Sequence, residues 1–294
     1  MNTPVSVIGF GEAASAIAEG WPEDGRRVLA YDRKIDHAGT REAKQADFTR
    51  LGVEGFRTMA EAVAGAKVIL CLVTADQATA AAREGAMSLS PGALWLDLNS
   101  VAPDTKRVAA RVIEAVGGRY VDVAVLSPVH PKRRGAPLLV SGPHAEEGLQ
   151  TLTGLGFSNV SELKGPVGAA AAVKMIRSVM IKGLEALSAE CAIAAHRANV
   201  LDAVVSSLDA SWPGADWGAR LDYNLDRMMI HGLRRAAEMQ ESEATLASLD
   251  VHAAMTRGTV ELQQAIGALG ISNPPEGLVA KLNALTEQAR GAAA

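Results

Sequence analysis

A short apolar run near the beginning of this chain leads straight into a turn that contains two glycines. The run is Val5–Ile8, the glycines are Gly9 and Gly11, and a second apolar run follows and ends at Asp32. This order of strand, glycine turn, helix and strand is typical of a dinucleotide-binding unit. The first glycine permits the tight turn, and the second lets the backbone approach a pyrophosphate. We therefore predict a Rossmann-type unit in this part of the sequence.

The helix after the turn provides the phosphate site that the motif predicts. Its free N–H groups and its dipole favour negative charge, and Ala14 replaces the third glycine, where helix and strand pack closely. A βαβ unit that binds no nucleotide can use glycine in the same turn, so the motif alone leaves that alternative open. The predicted cofactor-binding residues are Gly9, Phe10, Gly11, Glu12, Ala13, Ala14, Asp32, Arg33, Val73, Thr74, Asn99 and Ser100.

The residues around Asp32 bear on the choice between NAD and NADP. Asp32 follows Gly9 at about the spacing of the carboxylate that accepts a hydrogen bond from the ribose 2′-hydroxyl. The same carboxylate repels a 2′-phosphate, so we expect NAD to be preferred. Arg33 and Lys34 could bind that phosphate if Asp32 turned away, and NADP therefore stays open.

Composition and charge exclude several classes of protein. The chain has 294 residues, of which 48% are hydrophobic, and this is enough for two domains with sizeable cores. A net charge of −4 with both signs interspersed gives no basic field, so we expect no nucleic-acid partner. The sequence shows no signal peptide and no membrane-spanning run, and Cys71 and Cys191 fit core positions in a reducing compartment. We expect a soluble, cytoplasmic protein with no membrane partner, and the histidine spacing predicts no metal site.

Apolar runs alternate with helix-forming segments over the first half of the chain. The predicted strands are residues 5–8, 28–32, 67–73, 93–98, 119–126, 138–142 and 159–160. The predicted helices are residues 13–21, 59–66, 76–87 and 103–116. This alternation predicts an α/β fold with a doubly wound parallel sheet, and the polar stretch 33–50 is left without a detailed prediction. We assign residues 1–165 to a dinucleotide-binding domain.

From about Gly165 the strand-like runs disappear, and Ala, Leu, Ile and Met recur at helical spacing. Residues 166–294 are therefore predicted to form an all-α domain built on a long helix at 167–197. Further helices are predicted at 203–211, 221–247 and 251–269, with a loop at 212–218. A helix of about thirty residues is roughly 45 Å long, more than a small domain buries, so we expect a homo-oligomer, with a dimer favoured.

Lys174 is the candidate for acid/base chemistry. It stands about one turn into the predicted long helix, among small residues that would let a substrate approach the backbone. Oxidation of an alcohol requires a group that takes the hydroxyl proton, and burial beside a positive nicotinamide would lower a lysine pKa toward a useful range. Arg177 and Ser178 follow three and four positions later and could hold a substrate carboxylate or hydroxyl. A lysine whose stem lies along the surface fits the spacing equally well.

Four motifs in order resemble the β-hydroxyacid dehydrogenase superfamily, which includes 3-hydroxyisobutyrate, tartronate semialdehyde and 6-phosphogluconate dehydrogenases. Residues 8–14 look like its cofactor loop, and residues 97–100 are similar to its Asp-x-Ser-Thr segment near the nicotinamide. Residues 120–128 resemble its Asp-Ala-Pro-Val-Ser-Gly-Gly substrate motif, and residues 168–174 its glycine-to-lysine catalytic motif. The resemblance covers nearly the whole chain. It implies that Lys174 is the catalytic lysine and that the helical half is an oligomerising substrate domain.

Departures from the family pattern fall on substrate contacts. The family's Ser-Gly-Gly becomes Leu-Ser-Pro at 126–128, its asparagine four residues after the lysine is Ser178, and a later Lys-Asp pair is His231-Gly232. The pattern Ser-Pro-Val-His-Pro at 127–131, together with His-Gly-Leu-Arg-Arg at 231–235, resembles a less characterised branch whose C-terminal domain is of unknown function, so we transfer no substrate. The predicted substrate-binding residues are Ser100, Ser127, His130, Arg177, Ser178 and His231. For both histidines an ordinary structural role, in a loop or in a helix core, is the competing interpretation.

The sequence leads to one main hypothesis and two alternatives. The main hypothesis is an NAD(P)-dependent dehydrogenase that exchanges hydride between nicotinamide and the carbinol carbon of a small, anionic hydroxy acid or related alcohol. One alternative is an imine reductase or reductive aminase on the same scaffold, against which the retained lysine argues. The other is a non-catalytic dinucleotide sensor whose helical half serves only to assemble a complex.

Overall fold

The computed structural model describes residues 4–291. The first part of the chain forms an eight-stranded sheet. The strands are β1 (Val5–Ile8), β2 (Val28–Tyr31), β3 (Glu54–Gly55), β4 (Val68–Cys71), β5 (Leu94–Asp97), β6 (Arg119–Val125), β7 (Leu138–Ser141) and β8 (Val160–Glu162). Their order is β3-β2-β1-β4-β5-β6-β7-β8. The strands β1, β2, β4 and β5 are buried almost throughout, as expected for continuous apolar runs covered on both faces.

The predicted α/β fold class is confirmed, with two corrections to the sheet. Strand β7 runs antiparallel to β6, with Asp122 opposite Ser141, whereas the sequence predicted a parallel sheet throughout. The direction of a strand depends on the course of the chain that connects it to its neighbour. A short apolar run gives no information about that course. The short strand β3 was not predicted, because its two residues are exposed and have no apolar pattern.

Six helices of the described chain pack with this sheet before the long helix begins. They are α1 (Glu12–Ala18), α2 (Ala38–Arg50), α3 (Met59–Val63), α4 (Ala78–Ala86), α5 (Pro103–Ala115) and α6 (Ala145–Gly154). Helix α1 ends at Ala18, not at Trp21 as predicted, and Gly20 with a φ of +86° turns the chain away. Helix α2 fills the stretch that the sequence left open, and only Lys44 and Phe48 on it are buried.

The remaining part of the chain is helical, as predicted. It contains α7 (Ala169–Arg197), α8 (Leu201–Ser211), α9 (Trp217–Ser248), α10 (Ala254–Gly267) and α11 (Leu278–Gly291). Helix α9 begins inside the predicted loop, because the Asp216 carboxylate accepts the N–H of Ala219 and caps it at residue 217. Helix α10 is shorter at both ends than the predicted 251–269.

Helices α9 and α10 pack closely at two glycines, Gly232 and Gly267, where neither helix has a side chain. A Cβ atom on Gly232 would lie 2.5 Å from the carbonyl oxygen of Gln263 and 2.7 Å from the Cα of Gly267. Beside this crossing, the buried Glu185 of α7 accepts hydrogen bonds from Arg235 and Gln263. A polar cluster therefore ties α7, α9 and α10 together inside the helical unit.

The chain forms two compact units, one through Lys174 and the other from Met175. The boundary lies inside α7, whereas the sequence placed it at residue 165. The first turn of α7 stays with the sheet because its N–H groups are bound by Asp122 of β6 and Ser141 of β7. No helix within the described residues combines the length and the apolar character that crossing a membrane requires.

Candidate functional site

The turn after β1 can hold only glycine at its first position. Gly9 has a φ of +81°, and a Cβ there would lie 2.4 Å from the carbonyl oxygen of Leu72 and 2.8 Å from the side chain of Val73. Both the left-handed backbone and the lack of space exclude a side chain. The glycine turn thus touches the end of β4, its neighbour in the sheet.

The position of Phe10 is fixed by hydrogen bonds to its backbone N–H and carbonyl groups and by the packing of its ring. Its N–H donates to Oδ2 of Asp32 at 2.8 Å, and its carbonyl accepts a hydrogen bond from Nζ of Lys44 at 2.7 Å. The buried ring packs edge-to-face on Phe48, with centroids 5.3 Å apart. The sequence analysis missed Lys44. The sequence feature that points to Lys44 is its spacing from Phe48, since the two residues lie four apart on one face of an otherwise polar helix.

Gly11, in contrast, faces open space. It is exposed, and no atom lies within 4 Å of the position that a Cβ would take. It is also the N-cap of α1, where the next N–H groups lack helical partners. Open space beside the N–H groups at the start of a helix fits a phosphate group, as the motif predicts.

Asp32 is buried beneath the end of β2. Its second oxygen, Oδ1, accepts the N–H of Lys34 at 2.9 Å, so both oxygens are held by backbone. Arg33 beside it is exposed. Asp76, which the sequence analysis did not single out, has a pKa below its ordinary value, chiefly because Thr74 hydrogen-bonds its carboxylate and to a smaller extent because of the charge of Arg33. The carboxylate of Asp76 therefore lies near the guanidinium group of Arg33.

The ends of β4 and β5 are joined through Asn99. Its Oδ1 accepts the N–H of Val73 at 2.7 Å, and its Nδ2 lies 3.4 Å from Sγ of Cys71. Burial raises the pKa of the Cys71 thiol to about 12, so this cysteine stays protonated and unreactive. The prediction that Cys71 is a core residue is confirmed.

Lys174 reaches this same edge of the sheet. Its Nζ donates a hydrogen bond to Oγ of Ser100, the residue after Asn99. Both side chains are half-buried. The strands β1, β4 and β5 are neighbours, and the carboxyl ends of parallel strands meet at one edge, so the glycine turn, Val73, Ser100 and Lys174 lie along the same edge of the sheet. A proton-carrying group is thus placed beside the position that a dinucleotide occupies in such folds.

Two other predicted residues lie on the loop between β6 and β7. The hydroxyl of Ser127 donates to the carbonyl of Pro128 at 3.1 Å, and His130 is exposed. The loop is fastened to the end of α1 by Arg134, which donates to the carbonyls of Ile17 and Glu19.

The last three predicted substrate residues belong to the second unit. Arg177 and Ser178 lie on α7, the first exposed and the second buried, and His231 is half-buried on α9. Their roles remain predictions.

Comparison with known proteins gives two family matches. Residues 4–151 match the NAD binding domain of 6-phosphogluconate dehydrogenase, and residues 195–266 match a domain of unknown function, DUF1932. The first match covers half of the chain.

Solved structures resemble the chain over nearly its whole length. A conserved hypothetical protein from Sinorhizobium meliloti 1021 is 37% identical, covers 98% of this chain and 97% of its own, and has a TM-score of 0.76. The conserved protein MTH1747, of unknown function and structurally similar to 3-hydroxyacid dehydrogenases, is 28% identical, covers 90% and 97%, and has a TM-score of 0.70. Mycobacterium tuberculosis 3-hydroxyisobutyrate dehydrogenase is 15% identical, covers 97% and 99%, and has a TM-score of 0.75, which shows a shared fold.

The family matches and the dehydrogenase fold together support an NAD(P)-dependent oxidoreductase. The features that set this chain apart from better-known branches agree with the match to the domain of unknown function. The chain belongs to the β-hydroxyacid dehydrogenase superfamily, in the branch where an NAD-binding domain of the 6-phosphogluconate dehydrogenase type precedes a helical domain of unknown function.

Proposed function

We propose that the protein exchanges hydride between NAD and the carbinol carbon of a small, anionic hydroxy acid or related alcohol, with Lys174 as the general acid/base. The observation that carries this proposal is the hydrogen bond between Lys174 and Ser100 at the edge of the sheet that bears the glycine turn. An amine at this edge lies where a substrate beside the nicotinamide would need a proton carrier.

The residues along this edge of the sheet fit NAD. The open space at Gly11 and the N–H groups of α1 would hold the pyrophosphate, and Asp32 would accept the adenosine ribose hydroxyl. Val73 and Thr74 would lie against the cofactor at the end of β4. Bound NAD supplies the hydride acceptor in oxidation, and NADH the donor in reduction.

Lys174 would move the proton that accompanies the hydride. In oxidation its neutral amine accepts the proton of the substrate hydroxyl while the carbon–hydrogen bond breaks and the carbonyl forms. In reduction the ammonium returns that proton to the carbonyl oxygen as the carbon gains hydride. Ser100 orients the amine through its hydroxyl oxygen. The proposed substrate-binding residues are Ser127, His130, Arg177, Ser178 and His231. The proposed compartment is the cytoplasm, because both cysteines are free, as is usual in a reducing environment.

A screen for turnover tests this function. The purified protein is incubated with 2- and 3-hydroxy acids, sugar acids and simple alcohols, each with NAD and with NADP, and reduced nicotinamide is followed by absorbance. We expect turnover with at least one anionic hydroxy acid. Cyclic imines with NADH and NADPH belong in the same screen, since activity on these alone would identify an imine reductase. Binding of NADH without turnover of any compound would indicate a dinucleotide sensor.

The cofactor preference gives a first prediction, through Asp32→Asn. In the unchanged protein NAD should be preferred, because a carboxylate fixed by two backbone N–H groups repels a 2′-phosphate. The variant should raise the ratio of kcat/KM for NADP to that for NAD by about 10- to 100-fold, in line with the roughly 1.5–3 kcal/mol of a hydrogen bond to a charged group. The exposed Asp24→Asn is the matched control. Comparable efficiency of both cofactors in the unchanged protein would refute the preference.

We also propose that the helical unit mediates a homodimer. Helix α7 exposes a stripe of large apolar side chains at Ile176, Met180, Leu184 and Leu187, of which Met180 is 65% exposed. These positions repeat at helical spacing and form one continuous face. Helix α8 is apolar in composition yet has no buried residue. A second copy of the chain would cover such a surface.

The dimer gives a second prediction, through Met180→Glu. Sedimentation velocity should show a mass of two chains for the unchanged protein and of one chain for the variant, because a carboxylate cannot be buried unpaired in an apolar interface. The control is Met87→Glu, at an exposed methionine of the first unit. An unchanged protein that sediments as a single chain would disprove the dimer.

A further inference from the structure

One lysine lies in the core of the first unit, between carboxylates on two neighbouring strands. Nζ of Lys106, on helix α5, is 2.9 Å from Oδ1 of Asp97 and 3.4 Å from Oδ1 of Asp122. It also donates to the backbone carbonyl of Asp97 at 2.6 Å. All three side chains are at most 1% exposed. Removing three charges from water is costly, and apolar residues often stabilise a core at least as well, so stability alone does not explain the trio.

The first carboxylate of the trio holds the end of β5. Oδ1 of Asp97 accepts the N–H of Asn99 at 2.9 Å, and Oδ2 accepts the hydroxyl of Tyr120 at 2.6 Å. Burial and the nearby carboxylate hold the pKa of Tyr120 well above its ordinary value, so this hydroxyl remains a donor. Asn99 in turn binds the N–H of Val73. Asp97 thus sets the segment that carries Asn99 and Ser100.

The second carboxylate holds the first turn of α7. Oδ2 of Asp122 accepts the N–H groups of Gly168 and Ala171, each at 3.1 Å, and the hydroxyl of Ser141 at 3.0 Å. Ser141 in turn accepts the N–H of Ala170. These are the N–H groups that a helix leaves without internal partners, and the helix dipole there balances the second negative charge. The next turn of the same helix carries Lys174.

These contacts close into a ring. From Lys106 it runs through Asp97 to the segment that ends at Ser100, across to Lys174, and back along α7 to Asp122. We infer that Lys106 is a positioning residue of the site: by holding Asp97 and Asp122 together it sets where Ser100 and Lys174 meet. It acts through these groups, and its effect on turnover rests on the proposed function.

Hydrogen exchange on Lys106→Met tests the inference without any substrate. Without the ammonium group the two carboxylates repel each other, and their hold on the backbone weakens. Amides at 97–101 and 168–171 should then exchange about 10- to 100-fold faster, as expected when charge-assisted hydrogen bonds are lost locally. Amides of β1 at 5–8 should be unchanged. A role limited to general stability would speed exchange in all of these segments alike.

Kinetics with the fastest substrate of the screen provide the second measurement. We expect kcat of Lys106→Met to fall by about 10- to 100-fold, because small misplacements of reacting groups have effects of this size, while the KM for NAD changes little. The matched control is Arg111→Met, at an exposed cation on the same helix. Lys106→Gln, which is neutral but still donates hydrogen bonds, should give intermediate exchange and intermediate turnover.

The outcomes separate this inference from the proposed function. Unchanged exchange at 168–171 in folded Lys106→Met, or unchanged kcat, overturns the positioning role. If the methionine variant does not fold, Lys106→Gln decides by the same comparison of 168–171 with 5–8. If no compound is turned over, the proposed function fails, whereas faster exchange confined to 97–101 and 168–171 still supports the role of Lys106 in placing α7.

Discussion

Replacing Lys174 by methionine is expected to lower kcat by about 10²- to 10⁴-fold, the usual contribution of a general acid/base. Methionine matches the length of the lysine stem but cannot carry a proton, so the hydride would have to move without proton transfer to or from the substrate oxygen. The affinity for NADH, measured by fluorescence titration, should be nearly unchanged, since the glycine turn and Asp32 do not depend on this amine.

The matched control is Lys67→Met, at an exposed lysine before β4, which should leave turnover unchanged. Lys174→Arg adds a second comparison. A guanidinium keeps the charge but cannot lose its proton, so this variant should be as slow as the methionine variant if proton transfer is the role of Lys174. A methionine variant with ordinary turnover would remove Lys174 from the mechanism.

Replacing Glu185 by alanine is expected to lower the free energy of unfolding by about 3–5 kcal/mol, the usual effect of removing one partner of a buried ion pair. Glu185 is only 5% exposed and accepts hydrogen bonds from Arg235 of α9 and Gln263 of α10. Without it a guanidinium and an amide are left buried without this acceptor, and the contact that joins three helices is lost. Urea denaturation followed by circular dichroism measures the change.

The exposed Glu190→Ala on the same helix is the control and should change stability little. The double variant Glu185→Leu with Arg235→Met should recover most of the loss, because an apolar pair of similar volume replaces an ion pair at little cost. If Glu185→Ala were as stable as Glu190→Ala, the cluster would not hold the helical unit together.

The glycine turn and the strands around it could be predicted from sequence because their causes are local. Gly9 is required where backbone from β1 passes within reach of Leu72, and an apolar run such as Leu94–Asp97 is buried on both faces. The direction of β7 could not be predicted, since a strand of four residues pairs equally well either way. The start of α9 was missed because the capping role of Asp216 was not recognised.

The buried trio has a signature in the sequence, although it was not predicted. Asp97 and Asp122 each interrupt or end an apolar strand, and a carboxylate in such a place needs a cation. Lys106 stands three, four and seven residues before Ala109, Ala110 and Ile113, all buried, so the helical spacing alone places it on the inward face of α5. The sequence does not show which carboxylates Lys106 contacts, because this depends on the order of the strands in the sheet.

No linker separates the two compact units. Helix α7 continues through the division between them, which falls directly after Lys174. The amine and the glycine turn are therefore encoded in one continuous stretch that belongs to the first unit. A chimaera that joins this stretch at residue 175 to the helical half of a relative would keep the glycine turn and Lys174 and would exchange Arg177, Ser178 and His231 for the relative's residues. Such exchange offers a simple route by which one scaffold acquires new specificities.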